Sequence, residues 1–228
     1  MPRLADHDQR REQITDAARR VIARGGLGAA TFQSVAAEAG ISVRLVQYYF
    51  GTKRAFLLAT HRAVVADAGA RFTRRLATLG TDPGPRAVIR AILTELLPAD
   101  AARREDAVVL NAFHAGALSA GGADGGAGSS RGAGSDGGAG SDGGAGSDVG
   151  AEDTLGAPRY LIAAIADQLR RARATSSADS GEGGDADLDA ELIMAAAAGL
   201  TQTLLADASA AGRADALLDR LLDRLVGA

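Results

Sequence analysis

The stretch from residue 37 to residue 54, AEAGISVRLVQYYFGTKR, combines side chains that can recognise a nucleic acid. An arginine can form two parallel hydrogen bonds to guanine or phosphate. A glutamine offers one donor and one acceptor to adenine or to a phosphate oxygen. A tyrosine adds a flat apolar ring with a hydroxyl, and the lysine at position 53 is the only lysine in the chain. This mixture favours binding to bases and phosphates.

The residues around this stretch predict two short helices joined by a tight turn. Thr31 is a suitable N-cap for the first helix, and Gly40 ends it because glycine allows a turn that a Cβ would obstruct. Ser42 caps a second helix, from about residue 43 to residue 48, and Thr52 caps a longer one. Helix, turn and helix form a helix-turn-helix, whose second helix lies in the DNA major groove.

An amphipathic helix is predicted upstream, where apolar residues recur at three- and four-residue steps from residue 10 to residue 23. The sequence RGGLGA at residues 24–29 ends it. Its arginines lie off the apolar stripe: Arg10, Arg11, Arg19 and Arg20.

Side chains on the second helix of the pair and at its borders are the predicted DNA contacts. The alternative for Arg44 and Gln47 is that they are ordinary surface residues without a DNA contact. The alternative for Tyr48 is that it packs against the first helix. Tyr49 and Phe50 are expected to fill the core. The predicted DNA-binding set is Thr31, Ser42, Val43, Arg44, Gln47, Tyr48 and Lys53.

Charge is distributed unevenly along the chain. Residues 1–62 contain ten Lys or Arg and five Asp or Glu, whereas the remainder contains 15 basic and 23 acidic residues. The overall net charge of −3 therefore combines a basic N-terminal part with an acidic body. Such asymmetry suggests a polyanion partner for one end only.

The rest of the chain predicts helices and no strand, so the fold class is all-α. Residues 120–153 form a low-complexity segment with a repeated Gly/Ala/Ser/Asp unit, and we expect a flexible insertion because it has almost no side chain for a core. The predicted domains are a helix-turn-helix DNA-binding domain at 8–53 and a helical effector-binding and dimerisation domain at 54–228.

Composition argues against several classes of protein. The chain has no cysteine, which excludes disulfides, thiol catalysis and cysteine-based zinc sites. We find no motif for a metal, a cofactor or enzymatic catalysis, and expect none of the three. No run of 18 apolar residues and no secretory signal is evident, so we expect a cytoplasmic protein without a membrane partner.

Residues 31–53, TFQSVAAEAGISVRLVQYYFGTK, resemble the DNA-binding segment of the TetR (tetracycline-repressor) family of bacterial transcription regulators. The resemblance implies a homodimeric repressor that binds a palindromic operator and is released when a small ligand enters an inner cavity. In the family a tyrosine is common where this sequence has Gln47, so Tyr48 is expected to take over its phosphate contact.

Two groups of residues are candidates for the remaining functions. Asn111 and His114 share a face of an apolar helix that we expect to be buried on most sides. They form either an internal hydrogen-bonded pair or part of an effector cavity. The predicted cavity residues are Asn111, Phe113, His114 and Leu118.

The last two helices are predicted to form a dimer interface. The first contains small residues that allow another helix to approach closely, and the second has a leucine-rich face. This assignment rests partly on the resemblance. The predicted interface residues are Leu192, Ala196, Leu200, Leu204, Leu217, Leu218, Leu221 and Leu225.

The sequence thus predicts a DNA-binding transcription regulator, most simply a repressor released from its operator by a small, partly apolar ligand. The alternative is a helical protein that sequesters a ligand or binds a partner, with a DNA-binding head that no longer functions. The basic charge of residues 1–62 argues against this alternative.

Overall fold

The computed structural model describes the backbone of residues 2–123, 151–176, 185–207 and 212–226, and the side chains of residues 6–117, 158–174, 185–207 and 212–226. These segments form nine α-helices, and no strand occurs among them, which confirms the all-α prediction. The helices are α1 Pro2–Ala29, α2 Phe32–Ala39, α3 Val43–Phe50, α4 Lys53–Ala77, α5 Pro85–Leu96, α6 Ala101–Ala123, α7 Ala151–Ser176, α8 Ala186–Ala206 and α9 Ala214–Leu225.

The chain divides into two compact units. The first comprises Met1–Ala63 and Val109–Leu155, and the second comprises Val64–Val108 and Gly156–Ala228. The sequence prediction placed a boundary after residue 53, whereas the compact units divide after Ala63. Ala63 lies within α4, which continues without a break from Lys53 to Ala77, and the predicted domain bounds remain a prediction.

The first unit has a core built mainly from α1 and the two helices of the predicted pair. Phe56 is fully buried there, and its ring meets those of Phe32 and Phe50 at centroid distances of 5.4 and 6.5 Å. The apolar stripe of α1 is buried as its spacing predicts, at Ile14, Ala17, Ala18, Val21 and Ile22.

The predicted end of α1 coincides with an interruption at Gly26. This residue has φ 72° and ψ −177°, so the helical conformation breaks there before the last turn reaches Ala29. A glycine is required because such a positive φ is strained for residues with a Cβ.

The second unit has a core formed by α5, α7, α8 and α9. Its fully buried large side chains include Ile89, Leu93, Ile165, Leu169 and Ile193. An ion pair joins α5 to α9, with Arg90 Nε 2.8 Å from Asp219 Oδ1. The hydrogen bond that Arg90 donates to Asp219 raises the pKa of Arg90, and the same bond lowers the pKa of Asp219.

Helix α6 corrects one expectation. The sequence predicted burial on most sides, but among residues 101–117, whose side chains the structure describes, the buried ones form a single face: Asp106, Val109, Phe113 and Ala117. Asn111 and Ala115 are exposed. The reason is that the alanines of this helix make it apolar by composition without requiring that every face be covered.

The predicted flexible insertion at 120–153 lies largely outside the described residues. Its borders are described, and they are helical up to Ala123 and again from Ala151.

Helix α8 is, among the described residues, the one helix long and apolar enough to cross a membrane, and 22% of its most apolar window is buried. Ile193 and Leu204 on this helix lie in the core of the second unit, so its apolar character is partly explained by packing within the chain.

Candidate nucleic-acid interface

The start of α2 is fixed by a reciprocal pair of hydrogen bonds. The Ser34 amide donates to Thr31 Oγ1 over 3.1 Å, and the Thr31 amide donates to Ser34 Oγ over 2.9 Å. Two amides that a helix start leaves without partners are thereby satisfied. The prediction that Thr31 is an N-cap is confirmed.

The turn between α2 and α3 depends on one glycine and one serine. Gly40 has φ 67° and ψ 32°, the left-handed conformation that glycine adopts at helix ends, and its amide donates to the carbonyl of Ala37. Ser42 caps α3 as predicted, because its Oγ accepts from the Leu45 amide over 3.2 Å. Only three residues separate the two helices, so the predicted helix-turn-helix is present.

Helix α3 has one buried face and one exposed face. Val46 and Phe50 are 0% and 7% exposed and hold the helix on the core. Arg44, Gln47 and Tyr48 are exposed, and their spacing of three and four residues places them on one side of the helix. The structure therefore brings together three of the seven side chains predicted to meet DNA, facing away from the core of their unit.

The two tyrosines of α3 have different environments. Tyr48 is 77% exposed, which argues against the alternative that it packs on the first helix. Tyr49 is partly buried, and its ring lies 4.8 Å from that of His7 on α1. Phe50 fills the core as predicted, whereas Tyr49 does so only in part.

The start of α4 adds positive charge beside α3. Thr52 caps this helix as predicted, since its Oγ1 accepts from the Ala55 amide over 3.1 Å. Lys53, the first residue of α4, is partly exposed, and Arg54 is exposed. Both cations lie within four residues of the end of α3, a position from which long side chains reach a flanking phosphate backbone.

Two arginines of α1 fasten the side of α2. Glu38 accepts hydrogen bonds from Arg24 and from Arg20, the latter over 2.6 Å. The bonds to Arg24 and then to Arg20 hold the pKa of Glu38 below its ordinary value. This carboxylate therefore stays charged and keeps the two helices together.

Comparison with known families agrees with this geometry. Residues 14–60 match the model of the family described as "Bacterial regulatory proteins, tetR family". The match includes the capped turn and all of α3. Over these residues the chain is therefore similar to proteins of the tetR family.

A curated relative supports the assignment over a longer stretch. The chain is 43% identical over 93 residues to the HTH-type transcriptional regulator BetI of Burkholderia mallei (strain NCTC 10229). This alignment covers 41% of the chain and 47% of the relative, so the chain matches about half the length of that relative.

Solved structures show the same fold over nearly the whole chain. A transcriptional regulator from Rhodococcus sp. Rha1 superposes with a TM-score of 0.66 at 22% identity, covering 94% of this chain and 95% of its own. A putative transcriptional regulator from Saccharomonospora viridis, solved in complex with choline, gives a TM-score of 0.67 at 20% identity, with 95% of each chain covered. At these identities the likeness concerns the fold alone.

The predicted effector residues have different environments where the structure describes their side chains. Phe113 is 1% exposed because its ring packs edge-on against His61 at 5.1 Å, whereas Asn111 is exposed and His114 is partly buried. The side chain of Leu118 lies outside the described residues. A groove between α1 and α2, lined by residues such as Arg24, contains none of this set.

The predicted dimer residues divide into three groups. Leu204 and Leu218 are each 1% exposed in the core of the second unit, so a partner cannot reach them, and this part of the prediction needs correction. Leu192 and Leu217 are 57% and 45% exposed, and Ala196 is exposed as well. The remaining three are half-buried and pack against the core: Leu200, Leu221 and Leu225.

Sequence reasoning missed several contributors to the DNA-binding head. The serine three residues after Thr31 was a detectable signal for the second half of the capping pair. The contacts of His7 and Arg11 with the end of α3 leave no such signal, because about 40 residues separate the partners. Among the described residues, no group of three or more metal-ligating side chains occurs.

Proposed function

We propose that this protein is a DNA-binding transcription regulator of the tetR family that acts as a homodimer on a palindromic operator. One observation carries the proposal, namely that α3 is anchored by Val46 and Phe50 while Arg44, Gln47 and Tyr48 point outward. In a helix-turn-helix these outward positions meet base edges and phosphates.

Electrostatics support the same assignment. Residues 1–62 carry ten basic and five acidic residues, whereas the chain as a whole has a net charge of −3. Positive charge near α3 favours phosphate contacts and steers the protein toward DNA. The cytoplasm is the compartment where a bacterial regulator would find its operator, and we propose it as the location.

The proposed dimer uses the exposed side of the last two helices. Leu192 and Leu217 are exposed apolar residues, and small residues between them would allow a second copy to approach. Two subunits would then place their α3 helices in successive major grooves, about 34–36 Å apart.

The proposed effector is a small, partly apolar molecule. The S. viridis regulator of similar fold was solved with choline, which is a molecule of this class. Ligand binding would shift the dimer toward a spacing that no longer fits the operator and so release DNA. Repression is thus the simplest form of the proposal.

The DNA half is tested by selecting duplexes from a random pool with the wild-type protein. Binding of the selected duplex is then measured by fluorescence anisotropy for Arg44→Ala and Gln47→Ala. Each lost contact to a base is worth about 1–3 kcal/mol, so affinity should fall while folding, followed by circular dichroism, stays intact.

Arg20→Ala is a suitable control because it also removes one positive charge from the head. Its partner Glu38 retains Arg24, and we expect little change in the selected sequence. Failure of the wild-type protein to select any duplex, or selection that Arg44→Ala and Gln47→Ala leave unaltered, would contradict the proposal. The first outcome would favour a head that no longer functions.

The ligand half is tested with choline as a probe. A rise in melting temperature together with release of the selected duplex would support an effector of this class. A rise in melting temperature without release of the duplex would show that choline binds the protein but does not regulate its DNA binding.

A further inference from the structure

Side chains of α1 reach the C-terminal ends of both helices in the helix-turn-helix. Gln13 Nε2 donates to the carbonyl of Ala39, the last residue of α2, over 2.8 Å. Arg11 Nη1 donates to the carbonyl of Tyr49, in the last turn of α3, over 2.7 Å. The last four carbonyls of a helix have no partner within it and carry partial negative charge, so these donors satisfy groups that would otherwise need water.

Arg11 makes a second contact with the same helix end. Its guanidinium carbon lies 4.3 Å from the centroid of the Phe50 ring, in the geometry of a cation–π interaction. Phe50 is itself 7% exposed and packs against Phe56. Arg11 therefore holds the backbone at Tyr49 and the side chain of the next residue at once.

Three aromatic rings form a second series of contacts, from α1 to the exposed surface of α3. His7 on α1 lies 4.8 Å from Tyr49, and Tyr49 meets Tyr48 edge-on at 5.3 Å. Tyr48 is the most exposed residue of this series at 77%, and it is one of the predicted DNA contacts. His7, near the start of α1, thus contacts Tyr49, and the ring of Tyr49 contacts that of Tyr48.

We infer that Arg11 is a positioning residue that sets the angle of α3 for reading DNA, with Gln13 fixing the end of α2 on the other side of the turn. This inference rests on the proposed DNA-binding function. Helix α3 has only eight residues and buries Val46 and Phe50, so the contacts at its far end are a substantial part of what orients it. Base readout depends on that orientation, whereas binding to phosphates alone tolerates a small displacement.

The test compares two duplexes: the one that the wild-type protein selects from a random pool, and poly(dI–dC) as the non-specific probe. Arg11→Ala should lower affinity for the selected duplex about tenfold and leave affinity for poly(dI–dC) within about twofold. The slope of log affinity against log salt should not change, because Arg11 is assigned to a carbonyl and a ring rather than to a phosphate. Arg11→Lys keeps the charge and a donor and should restore part of the discrimination.

Arg20→Ala is the matched control, since it removes an arginine from the same helix without touching α3. We expect it to affect both duplexes equally. A fall of about one in the salt slope for Arg11→Ala would instead make Arg11 a direct phosphate contact. Equal losses on the two duplexes, or no loss, would also overturn the inference.

Hydrogen exchange without DNA separates this inference from the proposed function. The Gly51 amide donates to the carbonyl of Gln47 over 2.7 Å at the end of α3, and its exchange should accelerate in Arg11→Ala but not in Arg20→Ala. Unchanged exchange at Gly51 would show that Arg11 does not hold this helix end. A further outcome is that the wild-type protein selects no duplex while exchange at Gly51 is still faster in Arg11→Ala. This result would refute the DNA-binding function and leave Arg11 as a structural anchor only.

Discussion

Arg71 Nη2 on α4 donates to Asp106 Oδ2 on α6 over 2.7 Å, and Arg71 Nε lies 3.3 Å from Glu95 Oε2 on α5. The side chains of Asp106 and Glu95 are only 5% and 7% exposed. Burial alone would lower the pKa of Arg71, but the hydrogen bonds and charges of Asp106 and Glu95 outweigh it, and the pKa is raised. Three helices of the second unit are thus joined through one charged arginine.

Arg71→Ala is predicted to destabilise the protein strongly. The substitution leaves the carboxylate of Asp106 buried without this partner, and breaking a buried pair in this way costs about 3–5 kcal/mol. The free energy of unfolding in urea measures the effect. Arg86→Ala is the control, because its bond to Asp223 is solvent-exposed and is worth at most about 1 kcal/mol. Similar losses for the two variants would contradict the prediction.

Gly40→Ala is predicted to destabilise the helix-turn-helix through backbone strain alone. No atom lies within 4 Å of where the new Cβ would be, but φ is +67°. The left-handed conformation costs about 1–2 kcal/mol for residues other than glycine, and thermal unfolding should show a loss of this size. Gly69→Ala in α4 has the same free space without a positive φ, so it should instead stabilise by about 0.5–1 kcal/mol. A neutral Gly40→Ala variant would mean that the turn adapts.

Leu192→Glu is predicted to convert a dimer into folded monomers. The side chain is 57% exposed within the chain, so a charge there disturbs a partner and not the subunit's core. Sedimentation velocity gives the oligomeric state. Leu218→Ala is the contrasting variant, because Leu218 is 1% exposed and its truncation leaves a cavity in the core. It should lower the free energy of unfolding by about 2–5 kcal/mol. A Leu192→Glu protein that remains dimeric would place the interface elsewhere.

Glu38→Gln is predicted to lower stability at neutral pH and to make no difference in acid. The bonds to Arg24 and Arg20 hold the pKa of Glu38 below that of the unfolded chain, so the folded state binds fewer protons. Its contribution is therefore complete above the ordinary glutamate pKa of about 4.3 and is lost as the pH falls through the lower, folded-state pKa. Melting temperatures of wild type and Glu38→Gln across this range check the prediction. A gap that does not close in acid would assign the effect to something other than the charge.

Tyr48→Phe is predicted to weaken DNA binding a few-fold without changing sequence preference. A phenolic hydroxyl that reaches the sugar–phosphate backbone supplies a hydrogen bond of about 0.5–1.5 kcal/mol that carries no base information. Anisotropy titrations with the selected duplex and poly(dI–dC) should show equal losses. Tyr160→Phe is the control, as that tyrosine is 75% exposed on α7 and outside the predicted interface. A loss confined to the selected duplex would make Tyr48 a base contact.

The helix-turn-helix could be predicted from sequence because its determinants are local. Thr31, Ser42 and Thr52 cap helices that begin one residue later, and Gly40 takes the conformation that few other residues accept. The sequence also predicted that Arg44 and Gln47 face outward, while it left open whether Leu45 or Val46 is the buried residue. None of these inferences required knowledge of distant residues.

Contacts between distant residues could not be predicted in the same way. Arg71 and Asp106 are 35 positions apart, and nothing in either neighbourhood indicates the pairing. The leucines of α8 and α9 show why burial is equally hard to assign. Leu204 and Leu192 are both apolar and helical, but only the tertiary fold determines that Leu204 is covered by the chain itself.

The single lysine of the sequence gives the DNA-binding head a chemical label. Lys53 is the first residue of α4 and is partly exposed, so a reagent that acylates amines modifies one side chain of the sequence, at this position. Mass spectrometry of that one peptide then reports whether a bound duplex shields the amine. The arginine side chains do not react with this reagent, so protection of Lys53 can be measured without introducing any probe residue.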